Sequence, residues 1–404
     1  MSELSYLEKL LDGVEVEWRT LGEIAVIYDG THKTPKYTAS GVPFVSVQNI
    51  KNLYGTNKYI SPEDFKTYKN KPRKHDLFMT RIGDVGTCAI VEDDRPLAYY
   101  VTLALIRINQ QIAVPGFIRY LIESRFGKAE LYKRTLIHAV PMKINLGEIG
   151  KVAVPIPCPD NPEKSLAIQS EIVRILDKFT ALTAELTAEL NMRKKQYNYY
   201  RDQLLSFKDG EVEWKTLGEV AQYSKTRISF ELLDERNYVG VDNLLQNRAG
   251  KSLSNHVPTS GKLTEFIPND ILIGNIRPYL KKIWQADCIG GTNGDVLVIR
   301  CIDSSINTRY LYQILADDKF FEYNIQHAKG AKMPRGSKED IMKYPIPVPP
   351  LTLQARIVEI LNKFDTLTNS ITEGLPREIE LRQKQYEYYR DLLFSFPKPE
   401  TVSN

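Results

Sequence analysis

The chain has 404 residues, with 54 Lys and Arg against 50 Asp and Glu, and a formal net charge of +4. This length suits two or three domains that each bury a core of their own. No apolar run reaches the ~18–20 residues that cross a bilayer, and the first residues lack the apolar core of a signal peptide, so we expect a cytoplasmic protein. The four cysteines lie far apart and form no C-x-x-C pair, which favours reduced thiols over disulfides or a zinc site.

The charge is unevenly divided along the chain. Residues 19–150 hold 19 Lys and Arg against 12 Asp and Glu, and residues 215–345 hold 18 against 15. These segments are therefore basic, at +7 and +3, and the remainder is acidic, at −6. Two basic bodies on an acidic framework indicate that the bodies bind a polyanion and that the framework binds something else.

An internal repeat organises the chain. Residues 16–25 return almost unchanged as residues 212–221, 196 positions later. Each copy opens a variable body, which closes at a Pro-Ile-Pro segment (155–157 and 345–347) and runs into a long helical stretch. The order is body, helix, body, helix.

We expect both bodies to be mixed α/β. Short β-rich segments bounded by Gly, Pro and Asn lie at 42–47, 76–80 and 295–299, and segments 115–122 and 307–315 are typical of helix starts. Between the copied borders the bodies share little sequence. This pattern favours two modules of one fold that recognise different targets.

Each long helix is predicted to carry one apolar stripe. The 4-3-4-3-4 spacing resembles a coiled-coil seam, so each helix is the predicted partner of the other. The first helix spans 166–206 and its stripe is Ile168, Ile172, Ile175, Phe179, Leu182 and Leu186; the second stripe is Leu353, Ile357, Ile360, Phe364, Leu367 and Ile371.

The two helices differ in length between matched positions. Phe179 and Gln196 are 17 residues apart, whereas Phe364 and Gln385 are 21 apart. The four extra residues lie around Pro376, where a proline and a four-residue insertion predict a kink or a helix restart.

The first helix also repeats the tetrapeptide Thr-Ala-Glu-Leu in tandem, at 183–186 and 187–190. One such unit spans about 6 Å of helix. The N-terminus carries a fragment of a helix end, because residues 6–11 resemble 200–205 and 389–393. A chain cut in this way can close on itself with pseudo-twofold symmetry, its termini near one another.

Basic and aromatic residues in the loops of both bodies are candidates for binding nucleic acid through phosphates and base edges. Gly and Pro place them in loops, where binding residues concentrate. A solvated basic loop explains any single cluster equally well. The candidates are Thr31, His32, Lys33, Lys36, Tyr37, Lys71, Arg73, Lys74, Arg81, Lys143 and Asn145 in the first body, and Asn275, Arg277, Tyr279, Lys281, Lys282, Lys329, Lys332 and Arg335 in the second.

Signatures of catalysis are missing from the sequence. It has no G-x-x-x-x-G-K-[ST] loop, no G-x-G-x-x-G and no H-E-x-x-H. Asp160, Glu163 and Lys164 loosely resemble a metal-nuclease pattern, but their spacing is wrong and a solvated charge cluster explains them. We expect no catalytic residue, no metal site and no cofactor bound to this chain.

Together these motifs resemble the specificity subunits of type I restriction–modification systems, and the helices resemble the type IC branch. The resemblance rests on the Trp-Arg/Lys-Thr-Leu-Gly-Glu openings, the Leu-x-x-Gln-x-x-Ile-Val segments after the Pro-Ile-Pro exits, and the Lys-Gln-Tyr-x-Tyr-Tyr-Arg-Asp helix ends. Gly30, Thr34-Pro35 and 41–43 also resemble the family's opening of a target-recognition domain. The second body departs from that opening at 224–227, so nothing is carried across there.

The resemblance implies an α+β fold with two mixed α/β target-recognition domains, separated by two long antiparallel coiled-coil helices in a pseudo-twofold circular arrangement. It implies a helical fragment at 1–15, target-recognition domains at 16–157 and 209–347, conserved helices at 158–208 and 348–398, and a tail at 399–404.

The resemblance also implies function and partners. Each domain reads one half of a bipartite site in double-stranded DNA, and the helices set the spacer and dock two methyltransferase subunits, which use S-adenosylmethionine. Two restriction subunits use ATP and Mg²⁺. The chain itself is then non-catalytic.

Two other function classes compete with this interpretation. A single-chain restriction or methylation enzyme needs an N-P-P-[FY]-like methyltransferase motif and a Gly-rich cofactor loop, and neither is present. A coiled-coil scaffold with two protein-binding domains and no nucleic acid stays open at this point, and a salt-dependent DNA-binding assay distinguishes it. The bases read cannot be derived from side-chain identity without docking geometry.

Overall fold

The computed structural model describes residues 6–208, 210–370 and 372–397. The predicted tail at 399–404 and the stripe residue Ile371 lie outside these ranges, as do the first five residues of the predicted N-terminal fragment. The chain divides into two compact units: unit 1 is Met1–Thr183 with Arg382–Asn404, and unit 2 is Ala184–Leu381. Each unit combines one body with segments of helix from both long helical stretches. The boundaries of the six predicted segments stay a prediction.

The first body is a mixture of short helices and strands. Its helices are α1 (Tyr6–Leu11), α2 (Leu21–Ile24), α3 (Pro62–Lys66), α4 (Pro115–Glu123), α5 (Arg125–Tyr132) and α6 (Leu146–Gly150), and its strands are β1 (Val16–Thr20), β2 (Ala25–Asp29), β3 (Val42–Val45), β4 (Tyr59–Ile60), β5 (Leu77–Thr80), β6 (Cys88–Ile90), β7 (Ala98–Tyr99), β8 (Leu103–Ile108) and β9 (Ala153–Pro157), with a 3₁₀ turn at Val47–Asn49.

Three sheets build this body. β1 pairs antiparallel with β9, from Val16 opposite Pro157 to Thr20 opposite Ala153. A four-stranded antiparallel sheet has the order β2-β8-β5-β6, and a three-stranded sheet has the order β4-β3-β7. The β5 residues are all buried, because helices cover one face of its sheet and the small sheet covers the other. Thr20 starts α2 with a capping box, in which Glu23 Oε2 accepts from the Thr20 hydroxyl (2.8 Å).

A single 44-residue helix, α7 (Pro162–Leu205), follows the first body. Ile168 and Ile172 of the predicted stripe are buried in the core of unit 1, together with Leu176. The prediction was wrong for Leu182, which is 37% exposed. The buried face follows a 168-172-176 line because α7 packs against the body in this region rather than along a straight coiled-coil seam.

The second body repeats the architecture. Its helices are α8 (Leu217–Val220), α9 (Thr308–Leu315), α10 (Asp318–Gln326) and α11 (Lys338–Ile341), and its strands are β10 (Glu213–Thr216), β11 (Ala221–Tyr223), β12 (Arg227–Ser229), β13 (Tyr238–Val239), β14 (Lys262–Phe266), β15 (Ile271–Gly274), β16 (Ile283–Gln285), β17 (Gly290–Thr292), β18 (Val296–Cys301) and β19 (Pro345–Val348), with 3₁₀ turns at Phe230–Leu232 and Pro278–Leu280.

The sheets correspond between the bodies despite their different sequences. β10 pairs antiparallel with β19 as β1 does with β9, and the order β11-β18-β15-β16 matches β2-β8-β5-β6. The small sheet differs: it has the order β12-β14-β17-β13 and keeps one parallel pair, β13 with β17, as β3 pairs parallel with β7. The predicted mixed α/β character of both bodies is confirmed.

The second helical stretch is broken. α12 spans Leu351–Asn369 and α13 spans Gly374–Leu393, so the predicted restart near Pro376 is confirmed. Gly374 has a φ of 78°, a left-handed conformation that glycine adopts without a steric penalty. The stripe prediction was wrong for Leu353, which is exposed, because the first turn of α12 buries Gln354 and Ile357 instead.

Matched aromatic pairs join the helices within each unit. In unit 1, Phe179 of α7 stacks on Tyr389 of α13, with ring centroids 5.4 Å apart. In unit 2, Tyr200 of α7 stacks on Phe364 of α12 at 5.7 Å. These are the same two positions of the sequence repeat, so each helix end packs against the copy of its own starting segment. The helices and sheets of the two units confirm the predicted α+β fold class.

The two ends of the described chain meet inside unit 1. Leu7 and Leu11 of α1 are buried in the same core as Leu393. Trp18 Nε1 donates to the carbonyl oxygen of Pro397 (2.8 Å). The predicted closeness of the termini is therefore seen for residues 6–18 and 393–397.

Candidate nucleic-acid interface

A cleft in the first body gathers the loop that follows β2. Its volume is about 510 Å³, and it is lined by Thr31, Lys33, Lys36, Lys69 and Asn70 among others. The loop leaves β2 at Gly30, where an added Cβ would lie 2.4 Å from the Tyr100 carbonyl oxygen, so only glycine fits this close approach. Thr31 N donates to Tyr99 O (3.1 Å), which fixes the start of the loop. Lys33 and Lys36 are exposed.

Two aromatic side chains of this loop stand at the surface. His32 Nε2 lies 2.8 Å from Asp29 Oδ2, and the ring is largely exposed. Tyr37 packs edge-on against Phe44, with centroids 5.8 Å apart, and the Lys58 ammonium lies 5.3 Å from its centroid. Tyr37 is thus held at its base and presents its other side to solvent.

The basic segment 71–74 is positioned by a buried ion pair. Asp76 is buried, and its Oδ2 accepts from Arg107 Nη2 (2.6 Å) and from the backbone N of Arg73 (2.9 Å). Arg107 Nη2 also donates to the carbonyl oxygen of Lys71 (2.9 Å). The hydrogen bond to Asp76 raises the pKa of Arg107. Arg73 and Lys74 are exposed beyond this anchor.

Arg81 lies inside the first body rather than on its surface. It is 7% exposed, and its Nη1 donates to Asp29 Oδ1 (2.9 Å) while its Nε donates to Ile144 O (3.2 Å). Arg81 therefore ties the end of β2 to segment 143–145. Of those residues, Lys143 is exposed and Asn145 is the exposed N-cap of α6.

In the second body, segment 274–282 projects a strained turn. Arg277 and Lys281 have φ values of 54° and 51°, on either side of the 3₁₀ turn that carries half-exposed Tyr279. Lys281 Nζ donates to Asp318 Oδ1 (2.7 Å), and Arg248 contacts the same carboxylate. Arg277 is exposed, so it and Tyr279 form the outer face of the turn. Left-handed non-glycine residues concentrate at functional sites because other contacts must hold them there.

Two candidates of this segment are buried. Lys282 is 9% exposed and its ammonium donates to Val241 O; burial lowers its pKa. Asn275 is 7% exposed, and its Oδ1 has no hydrogen-bond partner among the described residues. Neither side chain faces outward, because the segment turns inward at both ends of the 3₁₀ turn. They support the turn rather than form its surface.

The last predicted cluster folds beside this turn. Arg335 pairs with Lys329 and with Ile276 through antiparallel bridges, and Arg277 N donates to Pro334 O (2.8 Å). Lys329 and Lys332 are exposed, and Arg335 Nη2 lies 3.1 Å from Asp295 Oδ1. Two clusters about fifty residues apart in sequence are therefore neighbours.

The comparisons with known proteins agree on one family. A model of the family described as type I restriction modification DNA specificity domain matches residues 13–193 and again 210–381. The chain belongs to this family. It is 43% identical to the specificity subunit of the type I restriction enzyme EcoR124I/EcoR124II of Escherichia coli, over 100% of both chains, and 34% identical to the EcoprrI specificity subunit of the same species, over 92% of this chain and 93% of the relative.

A solved structure supports the fold. The S subunit of a type I restriction-modification system from M. genitalium superposes with a TM-score of 0.58 at 14% identity, covering 96% of this chain and 98% of that one. Each of the two matched specificity domains contains one of the bodies described above. The family that the sequence motifs indicated is therefore confirmed.

The two specificity domains share a hairpin that sequence reasoning did not recognise as equivalent. In the first, hairpin A (residues 136–143) is closed by Leu136 N donating to Lys143 O (2.8 Å), and Gly83 N donates to Met142 O (2.8 Å). In the second, hairpin B (residues 329–335) is closed by Lys329 N donating to Arg335 O (2.9 Å). The matching bridges are Ile82 with Lys143 and Ile276 with Arg335.

Neither a metal centre nor a membrane span emerges from the described ranges. No group of three or more His, Cys, Asp or Glu side chains there could hold a metal ion. No helix among those residues is long and apolar enough to cross a membrane. What the exposed Lys, Arg and Tyr side chains can do chemically is neutralise phosphates, donate hydrogen bonds and stack.

Proposed function

We propose that this chain is the DNA sequence-recognition subunit of a type I restriction–modification complex, in which each specificity domain reads one half of a bipartite site. The observation that carries the proposal is the doubled specificity domain together with full-length identity of 43% to a type I restriction enzyme specificity subunit. The two bodies have equivalent sheets, β11-β18-β15-β16 and β2-β8-β5-β6, and different loops. This is consistent with two DNA-recognition domains that share a fold and differ in target.

The exposed and partly exposed members of the predicted set form the proposed DNA surface. Cationic side chains on loops neutralise phosphates, and the aromatic and amide groups among them reach base edges. Buried Arg81, Asn275 and Lys282 are proposed to hold these loops in place, and Lys281 is largely engaged with Asp318. The proposed surface residues are Thr31, His32, Lys33, Lys36, Tyr37, Lys71, Arg73, Lys74, Lys143 and Asn145 in the first domain, and Arg277, Tyr279, Lys329, Lys332 and Arg335 in the second.

The helices are proposed to set the spacer and to dock the modification subunits. Four helical residues span about 6 Å, which corresponds to one or two base pairs at about 3.4 Å each. The long helices lack the basic excess of the bodies, since α7 holds 7 Lys and Arg against 6 Asp and Glu and α13 holds 4 against 4, which suits a protein partner better than DNA.

We further propose that two methyltransferase subunits carry S-adenosylmethionine and that two restriction subunits carry ATP and Mg²⁺, so this chain catalyses nothing itself. The proposed location of the chain is then the cytoplasm, where the DNA is. The non-DNA scaffold is not favoured, because every relative compared is named as a specificity subunit and the bodies are the basic part of the chain.

Methylation mapping tests the proposal directly. Cells that express this chain with its methyltransferase subunits should carry methylated adenines at one bipartite sequence, whereas cells that express the methyltransferase subunits alone should not. Methylation without a sequence preference, or DNA binding that does not respond to salt, would overturn the proposed function.

A further inference from the structure

Hairpin A exposes an apolar tip that nothing in its own body covers. Val140 is 99% exposed, and Leu136, Ile137 and Met142 are also exposed. Single exposed apolar residues are ordinary, but four on one short hairpin form a patch that favours a binding partner. A fully exposed valine contributes no packing to the fold, so its burial can occur only on another molecule.

Hairpin A carries one cation, Lys143, and no Asp or Glu. Lys133 and Arg134, which precede the hairpin, are paired with Glu130 (3.0 and 2.9 Å), so Lys143 supplies the charge at the rim of the tip. Lys143 closes the hairpin and is exposed beside the tip. A polyanion is therefore the partner that matches the charge of this rim.

Position in the frame points to the same partner. Hairpin B occupies the equivalent place in the second domain, held by the equivalent bridge to the strand-end segment, and its tip carries exposed Lys332 and Met333. The two hairpins share their backbone pairing, and the side chains at their tips differ. Two equivalent elements that recognise different DNA half-sites need the same backbone and different side chains.

On this basis, which rests on the proposed function, we infer that hairpin A reads its half-site by apolar contact of Val140 and Met142 with thymine methyl groups. The C5-methyl group of thymine is the apolar feature of the major groove, and aliphatic side chains contact it. Hairpin B, with Lys332 and Arg335, reads acceptors such as guanine O6 and N7 instead. The two hairpins are thus specificity-determining elements that share a cation at the closing bridge, Lys143 or Arg335, and differ at the tip, where Val140 of hairpin A contrasts with Lys332 of hairpin B.

The test uses the full chain in complex with its methyltransferase subunits, on DNA of the mapped site. Thymines of the first half-site are replaced one at a time by deoxyuridine, which removes only the methyl group. Wild-type affinity should fall about fourfold at one or two positions, the value expected for one buried methyl group. For Val140→Ser with Met142→Ser, the same replacements should have no effect, and preference at those positions should relax.

Two controls isolate the contact. Val26→Ser removes a 54% exposed valine from β2 of the same body and should keep the deoxyuridine penalty. Lys332→Ala in hairpin B should alter the second half-site and leave the penalty in the first unchanged.

Each result has one meaning. A hairpin A variant that keeps the wild-type penalty and base preference overturns the inference, as does a first half-site without thymine on either strand. Weaker assembly with the methyltransferase subunits at unchanged base preference also overturns it, because the tip would then bind protein. If the wild-type complex shows no bipartite preference at all, the proposed function itself fails.

Discussion

Replacing Asp76 by alanine should loosen the first body and leave the second intact. The carboxylate is buried and accepts from Arg107 Nε (2.9 Å), from Arg107 Nη2 (2.6 Å) and from Arg73 N (2.9 Å). Removing one partner of a buried, hydrogen-bonded ion pair costs about 3–5 kcal/mol. The Arg107 side chain is 24% exposed, so water reaches part of the abandoned guanidinium and we expect the lower value, about 3 kcal/mol.

Hydrogen exchange measures this loss strand by strand. A local loss of about 3 kcal/mol accelerates exchange of the most protected amides of β5 and β8 about 100-fold. Amides of β15 and β18 serve as an internal reference, because the equivalent pair of Asp270 and Arg300 (2.7 Å) is untouched there. Methylation of the first half-site should fall as well, since segment 71–74 loses its anchor.

The double variant Asp76→Ala with Arg107→Met is the matched control. It removes both charges, so no cation is left without its carboxylate, and it should exchange more slowly than Asp76→Ala alone. Equal exchange in the single and double variants, or equal acceleration in both bodies, would refute the reasoning that the pair acts locally as a unit.

Three further perturbations have defined outcomes. Deleting Thr187–Leu190 should shorten the recognised spacer by one or two base pairs with both half-sites unchanged, and methylation mapping that returned the original spacing would exclude the spacer role. Lys36→Ala should weaken binding to all DNA sequences and lower the salt slope by about 0.9, while Lys178→Ala on α7 should change neither; equal slopes in a salt titration would remove Lys36 from the interface. The hydrogen bond from Lys215 lowers the pKa of Asp303 to about 2, so this pair stabilises unit 2 above the ordinary carboxylate pKa. The stabilisation is lost as pH falls toward 2. Asp303→Asn should therefore lose less thermal stability than the wild type between pH 4 and about 2, and an equal loss in both would contradict this.

The fold was predictable where local chemistry repeats. The copied openings contain Thr20 with Glu23 and Thr216 with Glu219, and both pairs form the same capping box at the start of a short helix. Such contacts lie within four residues, so sequence spacing alone specifies them. The break before α13 was predictable for the same reason, because the proline and the four extra residues are local features of the sequence.

The burial of individual site residues was not predictable from the sequence. Arg81 and Lys282 look like surface cations in sequence, yet their polar groups are satisfied by partners far along the chain, including Ile144 O and Val241 O. Burial of a cation depends on acceptors that only the tertiary fold brings near. The same limit hid the equivalence of hairpins A and B, which is defined by backbone pairing and not by side chains.

The most specific motif of the sequence, Leu-x-x-Gln-x-x-Ile-Val, turns out to build the joint between each body and its helix. Gln169 is fully buried; its Nε2 donates to Ile112 O (3.0 Å) and its Oε1 accepts from Val114 N (2.9 Å). Gln354 makes the matching pair in unit 2, with Ser305 O (2.9 Å) and Asn307 N (2.8 Å).

One amide thus satisfies a donor and an acceptor in the loop before α4 or α9, and both bonds are shielded from water. A buried amide that lost these bonds would cost about 1–3 kcal/mol, so the helix cannot swivel freely on its body. That stiffness is what the spacer proposal requires of each unit: a four-residue change in α7 can alter the reading distance only if neither joint absorbs it.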